Sequence, residues 1–206
     1  MNIIIKKRYF LILFLLFIAI LFYNTNWLGK LIYPIKYKEE IQVVSNDYNI
    51  DPFFVAAIIR VESNYKSDKV SSKNAMGVMQ IMPETADWII QMASSPNLSK
   101  DKMLDVRVNI QMGVWYLNAL YIEFKPYLNN KPIRDQISLL CAAYNAGPGN
   151  VKKWLNEEET WDGSYNNIEQ IPFGETRHYI TRTIYYYEKY KKIYGPSLNV
   201  EKTYEK

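Results

Sequence analysis

Glu62 is the residue in this chain whose type and setting point most directly to chemistry. It lies near the end of residues 51–64, DPFFVAAIIRVESN, where Asp51 reads as a helix N-cap and Pro52 as the first helical residue, a pairing that supplies an acceptor and wastes no amide donor. At about 100° per residue, Val55, Ile58 and Ile59 fall within roughly 60° of Glu62, while Arg60 projects from the opposite side. Glu62 is therefore expected on the buried stripe. Loss of hydration raises a carboxyl pKa, and a glutamate kept protonated near neutral pH can act as a general acid. A glutamate that only caps the helix end or snorkels past it is the competing reading, and this stretch alone leaves both open.

Other polar groups fall at helix ends and corners. Gln80 belongs to the run Met76-Gly77-Val78-Met79-Gln80-Ile81-Met82-Pro83, in which Gly77 permits positive φ or close backbone approach and Pro83 suits the first turn of a helix over residues 83–93. On that loop the Gln80 amide can both donate and accept, whereas Met79 and Met82, taken singly, read as core filler. A later helix begins at Pro132 and stops at Ala143-Tyr144-Asn145-Ala146-Gly147-Pro148-Gly149, so Tyr144 and Asn145 are delivered where Gly and Pro turn the chain. Between them, Asp105 opens a helix through Phe124 with Ile110, Val114, Leu117 and Tyr121 at helical spacing, which reads as scaffold. Asn150 is expected to cap a short helix to Leu155. Residues 175–194 form a last helix with Tyr179, Thr183, Tyr186, Tyr187, Tyr190 and Tyr194 on one face, and no alternating strand pattern stands out. The expected domain is all-α.

Composition narrows the function classes. The chain has 206 residues, 49% hydrophobic and 15% aromatic, with 18 tyrosines and a net charge of +4, which suits one folded domain plus an extra segment and offers rings that can stack on sugars. No basic stripe of the kind that phosphate binding needs is present, so no nucleic-acid partner is expected. Cys141 and His178 are the sole cysteine and histidine. They rule out an intrachain disulfide and a thiolate cluster, weigh against a multi-histidine metal site or a serine triad, and leave no cofactor to expect.

Lys6, Lys7 and Arg8 precede an unbroken apolar run over residues 9–23, the charge-then-hydrophobe order of an export signal or anchor. No Ala-x-Ala-like site follows, which favours an uncleaved anchor. With Ile3 to Ile5 before the run and Trp27 and Leu28 after it, a span of about 20 residues is within reach. The basic flank places the N-terminus in the cytoplasm and the rest outside the cell. The expected organisation is a basic stub and signal-anchor helix over residues 1–30, a catalytic domain over 31–195 and a flexible tail over 196–206, with residues 28–40 a linker running into a first helix over 37–48.

Taken together, Glu62-Ser63, Gly77-Val78-Met79-Gln80, Ala143-Tyr144-Asn145-Ala146-Gly147 and Glu175-Thr176-x-x-Tyr179 resemble, in this order, the soluble lytic transglycosylase family, which is lysozyme-like in fold. The resemblance covers about residues 37–194. It implies Glu62 as catalytic acid and base, and Ser63, Met79, Gln80, Tyr144, Asn145 and Tyr179 as substrate-binding residues of a cleft for peptidoglycan glycan strands. It further implies cleavage of the β-1,4 bond between N-acetylmuramic acid and N-acetylglucosamine, leaving a 1,6-anhydro ring. Val78 stands where the family more often has leucine, Tyr65 where it often has phenylalanine, and Lys66-Ser67 where a proline-containing turn is usual, a departure that bears on loop shape.

Most glycosidases need two carboxylates across the bond, and no second acid here matches Glu62 in setting. Asp68 lies in a polar loop, and Glu175 stands where a carboxylate stabilises a helix N-terminus. One carboxyl suffices if the muramic C6 hydroxyl replaces water as the attacking group, since attack within one sugar has high effective molarity. The alternatives are a muramidase in which Asp68 or another loop acid activates water, and a wall-binding scaffold without catalysis.

Overall fold

The computed structural model describes residues 2–23, 25–157 and 160–195; the expected tail, residues 196–206, lies outside them. Nine α-helices occur among the described residues: α1 (Asn2–Tyr23), α2 (Thr25–Ile32), α3 (Lys38–Asp47), α4 (Pro52–Glu62), α5 (Pro83–Ala93), α6 (Val106–Leu128), α7 (Ile133–Ala146), α8 (Pro148–Lys152) and α9 (Gly174–Tyr194). No strand forms among them. Two isolated antiparallel bridges, Val70 with Met76 and Met76 with Ile81, tie the loop before α5 to itself. The domain is all-α, as its periodicities predict.

α4 is the central element. Phe53 through Ile59 are all buried, so the helix meets protein on every side until Arg60, whose guanidinium lies 5.3 Å from the Tyr186 ring centroid. Its principal neighbour is α9, which also packs on α7, and α7 packs in turn on α6. Asp51 sets the start of α4 and its pairing with α9 together: one carboxylate oxygen accepts from the Phe53 amide at 2.9 Å and the other from the Tyr187 hydroxyl at 2.9 Å. With that end fixed, the antiparallel run of α9 brings Tyr179 to the other end of α4.

Three expectations need correction. Much of the stretch read as a linker over residues 28–40 is helix α2 docked on α9, with Gly29 against Ile193 and the Tyr194 hydroxyl donating to the Tyr33 carbonyl at 2.9 Å. Glycine and tyrosine are the residues that allow close approach and then fasten it. Asn150 does not cap α8; it sits inside that helix and its side chain donates to the Ala146 carbonyl at 2.7 Å, while the corner itself is made by Gly147 at φ 87°, ψ 146°, a conformation open essentially to glycine. α6 runs past Phe124 to Leu128 and tolerates Pro126 in its last turn. Among the described residues no helix is long and apolar enough to cross a membrane.

The chain leaves α4 through two successive left-handed residues, Asn64 at φ 53° and Tyr65 at φ 63°, a conformation that costs about 1–2 kcal/mol per non-glycine residue. Burial of Tyr65 offsets it: the residue is 2% exposed, and its hydroxyl donates to the Ala56 carbonyl at 3.1 Å and lies 3.2 Å from the Tyr190 hydroxyl. Tyr65→Phe is expected to lose about 1 kcal/mol of stability, read as a lower urea midpoint at unchanged slope. An unchanged midpoint would mean that the hydroxyl does not hold this turn.

Candidate active site

Glu62 is the last residue of α4, and Val55, Ile58 and Ile59 on its face of the helix are fully buried. The side chain keeps partial exposure, yet its carboxyl is enclosed enough that lost hydration pushes its pKa up to about 7. The Tyr179 hydroxyl and the Lys69 ammonium oppose that rise, and the Glu175 carboxylate adds to it. Lys69 also donates through Nζ to the backbone carbonyl of Glu62. The Tyr179 hydroxyl is itself buried and completes no hydrogen bond of good geometry among the described residues. Burial, followed by the charge of Glu62, drives up the Tyr144 and Tyr179 hydroxyls. The Cys141 thiol, buried behind the site, is driven up mainly by burial. Glu62, Tyr144 and Tyr179 therefore share one electrostatic neighbourhood.

The loop opposite is built from side chains that satisfy backbone groups. Gln80, at φ 50°, donates both amide protons inside it, to the Lys69 carbonyl at 3.0 Å and the Gly77 carbonyl at 2.8 Å. Only its amide oxygen stays open to a ligand. Asn109 of α6, fully buried, accepts from the Met79 amide at 2.8 Å and donates to the Met76 and Met103 carbonyls at 3.0 and 2.8 Å. A Cβ on Gly77 would overlap the Asn109 side chain, and one on Gly113 would overlap the Met79 sulfur. Both glycines are thus required by contact.

The structure brings most of the expected residues together and sorts their roles. Tyr144 donates to the Met79 carbonyl at 2.9 Å, joining the α7 corner to the loop. Asn145 accepts from the Thr176 hydroxyl at 2.7 Å, which orients its amide nitrogen as the remaining donor. Both Asn145 and Thr176 line a cavity of about 330 Å³ together with Lys73, Ala146, Phe173 and Glu175. Met79 contributes its backbone, for its side chain is wholly buried against Gly113. Ser63 is 3% exposed and donates back to the Ile59 carbonyl at 3.2 Å, the usual resting place of a serine hydroxyl at a helix end. Asp68 and His178 are exposed. A second cavity of about 330 Å³, lined by Tyr48, Phe54, Leu117 and Leu140 among others, contains none of the expected residues.

Asn109 and Lys69 are the contributors that sequence reasoning passed over. For Asn109 a signal existed: it stands four residues before Gly113 in a helix otherwise read as apolar scaffold, and both are buried. A polar and a minimal residue one turn apart on a buried face mark a backbone approaching that face. For Lys69 nothing local marks the role, because the contact with Glu62 exists only once the chain has turned back after Tyr65.

Fold and site together define a lysozyme-like all-α domain built around one enclosed acid. The family model described as "Transglycosylase SLT domain" matches residues 39–167, and the chain belongs to that family. It is 34% identical over 164 residues to the soluble lytic murein transglycosylase of Escherichia coli K12, covering 79% of this chain and 24% of that protein. It is 27% identical over 173 residues to the membrane-bound lytic murein transglycosylase C of Haemophilus ducreyi, covering 77% and 46%. The crystal structure of the 70 kDa soluble lytic transglycosylase of Escherichia coli superposes with a TM-score of 0.71 at 32% identity, over 81% of this chain and 26% of that one. The chain thus spans about a quarter of the length of the soluble relatives.

Removing the Asn109 side chain strands the Met79 amide and two carbonyls, so Asn109→Ala is expected to lose on the order of 3 kcal/mol and to lower activity with Glu62 intact. The check is chemical denaturation beside a turnover assay. Parental stability would show that the loop holds itself.

Proposed function

We propose that this chain is a membrane-anchored peptidoglycan lytic transglycosylase, cleaving the β-1,4 bond between N-acetylmuramic acid and N-acetylglucosamine with formation of a 1,6-anhydromuramic end. The observation that carries it is the enclosed Glu62 carboxyl, with a pKa pushed up to about 7 beside the buried Tyr179 hydroxyl. A protonated Glu62 donates to the leaving glycosidic oxygen as the C1–O4 bond breaks. The resulting carboxylate takes the proton of the C6 hydroxyl while O6 bonds to C1, so no water is consumed and Glu62 ends protonated again. Tyr179 stabilises the transient carboxylate. The Asn145 amide nitrogen and Gln80 oxygen are suited to orient the N-acetyl groups of the sugars, and Tyr144 holds the loop that carries Gln80. Exposed Asp68 offers no buried partner for activating water, which disfavours the muramidase reading. The family membership and the murein transglycosylase activity named for the relatives support the same conclusion.

The anchor reading assigns residues 1–30 to a cytoplasmic stub and single membrane helix and residues 31–195 to the catalytic domain on the wall side. Its support is the cationic flank, the apolar sequence over residues 9–23, and the exposure of Trp27, Leu28, Leu31 and Ile32 on α2, a set of side chains suited to the membrane interface. Full-length protein is expected to fractionate with membranes and to lose that association when residues 1–30 are removed. Recovery of both forms in the soluble fraction would refute the anchor.

The central test is Glu62→Gln. It keeps size and removes the transferable proton, so release of anhydro-muropeptides from sacculi should fall by at least about 10²–10⁴-fold. Mass spectrometry separates the chemistries, since hydrolysis adds a water. Because the folded pKa of Glu62, about 7, lies above the model value of 4.5, the folded state binds this proton more tightly than the unfolded one. Its ionisation is therefore a destabilising contribution absent below pH 4.5 and growing as pH rises through 7. Glu62→Gln should melt close to the parent at about pH 4 and above it at about pH 8, while parent turnover declines above neutrality. Near-parental anhydro-muropeptide release by the variant would sink the assignment.

A further inference from the structure

α5 and α6 carry large aromatic side chains that the chemistry at Glu62 does not use. The Trp88 ring centroid lies 5.1 Å from that of Trp115, with the planes at 71°, and 6.1 Å from that of Tyr116, at 83°. Tyr116 in turn lies 5.4 Å from Tyr144. The four rings form an unbroken series from the catalytic neighbourhood outward. It ends in solvent: Trp88 is 42% exposed, and Trp115 and Tyr116 remain half-buried.

Core packing does not account for this placement, because a tryptophan buried for stability would be covered. The edge-to-face contacts fix each ring at little conformational cost, leaving faces held ready for a partner. Several features indicate what kind. No ring of the series has a cation stacked on it, and Lys152, near its inner end, is already paired with Glu123 at 2.5 Å. An anionic ligand would find no counter-charge there. Rings of this kind suit a neutral ligand with alternating apolar faces and polar edges, as a pyranose chain has. The series is also continuous with Tyr144, so a strand occupying the cleft can extend directly onto it.

Resting on the reading of the domain as a peptidoglycan-cleaving enzyme, we propose that Trp88, Trp115 and Tyr116 form a glycan-binding track that prolongs the cleft beyond Tyr144 and holds sugars remote from the bond being cut. Binding energy gathered there is available to position the reacting sugars, so it favours long strands over short ones.

The test uses full-length protein in detergent and peptide-free glycan strands of defined length. Turnover is followed by mass spectrometry, and binding by tryptophan fluorescence with N-acetylglucosamine oligosaccharides of increasing length. Trp88→Ala and Trp115→Ala are expected to lower the ratio of kcat/KM for long over short strands roughly three- to tenfold and to flatten the rise of affinity with length. Trp88→Tyr should restore most of both, and Val43→Ala, which alters an exposed apolar residue on α3, should leave both at parental values. Unchanged ratios and affinities in the alanine variants, with the parent still releasing anhydro products, would overturn the track and leave the catalytic reading standing. An equal loss on all lengths together with a lowered melting temperature would also overturn it, showing a structural role. If the parent released no anhydro product, the catalytic reading would fall, and the binding series would still decide the track.

Discussion

The burial of one carboxyl is the constraint on which this structure depends. Glu62 can be enclosed only because α4 beneath it is apolar on every side, and that in turn requires α9 and α7 to cover the helix along its length. Uncompensated burial of a charge is costly, and the group answers by holding its proton. The compensation supplied here is deliberately incomplete: one ammonium, Lys69, and one hydroxyl, Tyr179, offset part of the lost hydration, while Glu175 works against them. A closer cation would have made a stable ion pair and a carboxylate with nothing to donate. Proton affinity near neutrality is thus a property of the packing, set by how far α9 covers the end of α4.

The same covering explains why the surrounding loop is so heavily tied down. Residues 65–81 have no helix or strand ladder to satisfy their backbone, so side chains from elsewhere do so: Asn109 from α6, Tyr144 from α7, and Gln80 from within. Each of these bonds also fixes a position relative to Glu62. Tyr144 is the clearest case, because its hydroxyl joins the loop to the α7 corner while its ring starts the aromatic series toward Trp88. Stability and site geometry cannot be varied separately here.

Much of this was readable from sequence wherever a local rule governs. The Asp51-Pro52 start, the stripe through Ile58 to Glu62, and the Gly147-Pro148 corner follow from capping, helical period and backbone freedom, and each has its expected place. What escaped depends on which free group a side chain reaches. Ser63 and Met79 sit beside the site, but the serine hydroxyl turns back to Ile59 and the methionine side chain enters the gap left by Gly113. Helical period also assigns α6 correctly to scaffold while hiding Asn109 in it, because one polar residue barely perturbs an apolar pattern over that length. α2 was missed for another reason: it is short, and its docking depends on Gly29 meeting Ile193 more than a hundred residues away.

Tyr179 shows how such packing can serve two charge states with one arrangement. A buried hydroxyl without a good acceptor costs about 1–3 kcal/mol, and in the described structure Tyr179 has none. The acceptor it faces is Glu62. While that carboxyl is neutral it accepts weakly; once ionised it makes a charge-assisted bond of roughly twice the strength. The unfavourable hydroxyl and the unfavourable carboxylate therefore relieve one another at the moment the proton leaves, and not before. A polar partner that fully satisfied Tyr179 in the resting state would remove that difference, so the orphaned hydroxyl is best understood as the complement of a carboxylate that exists only in passing.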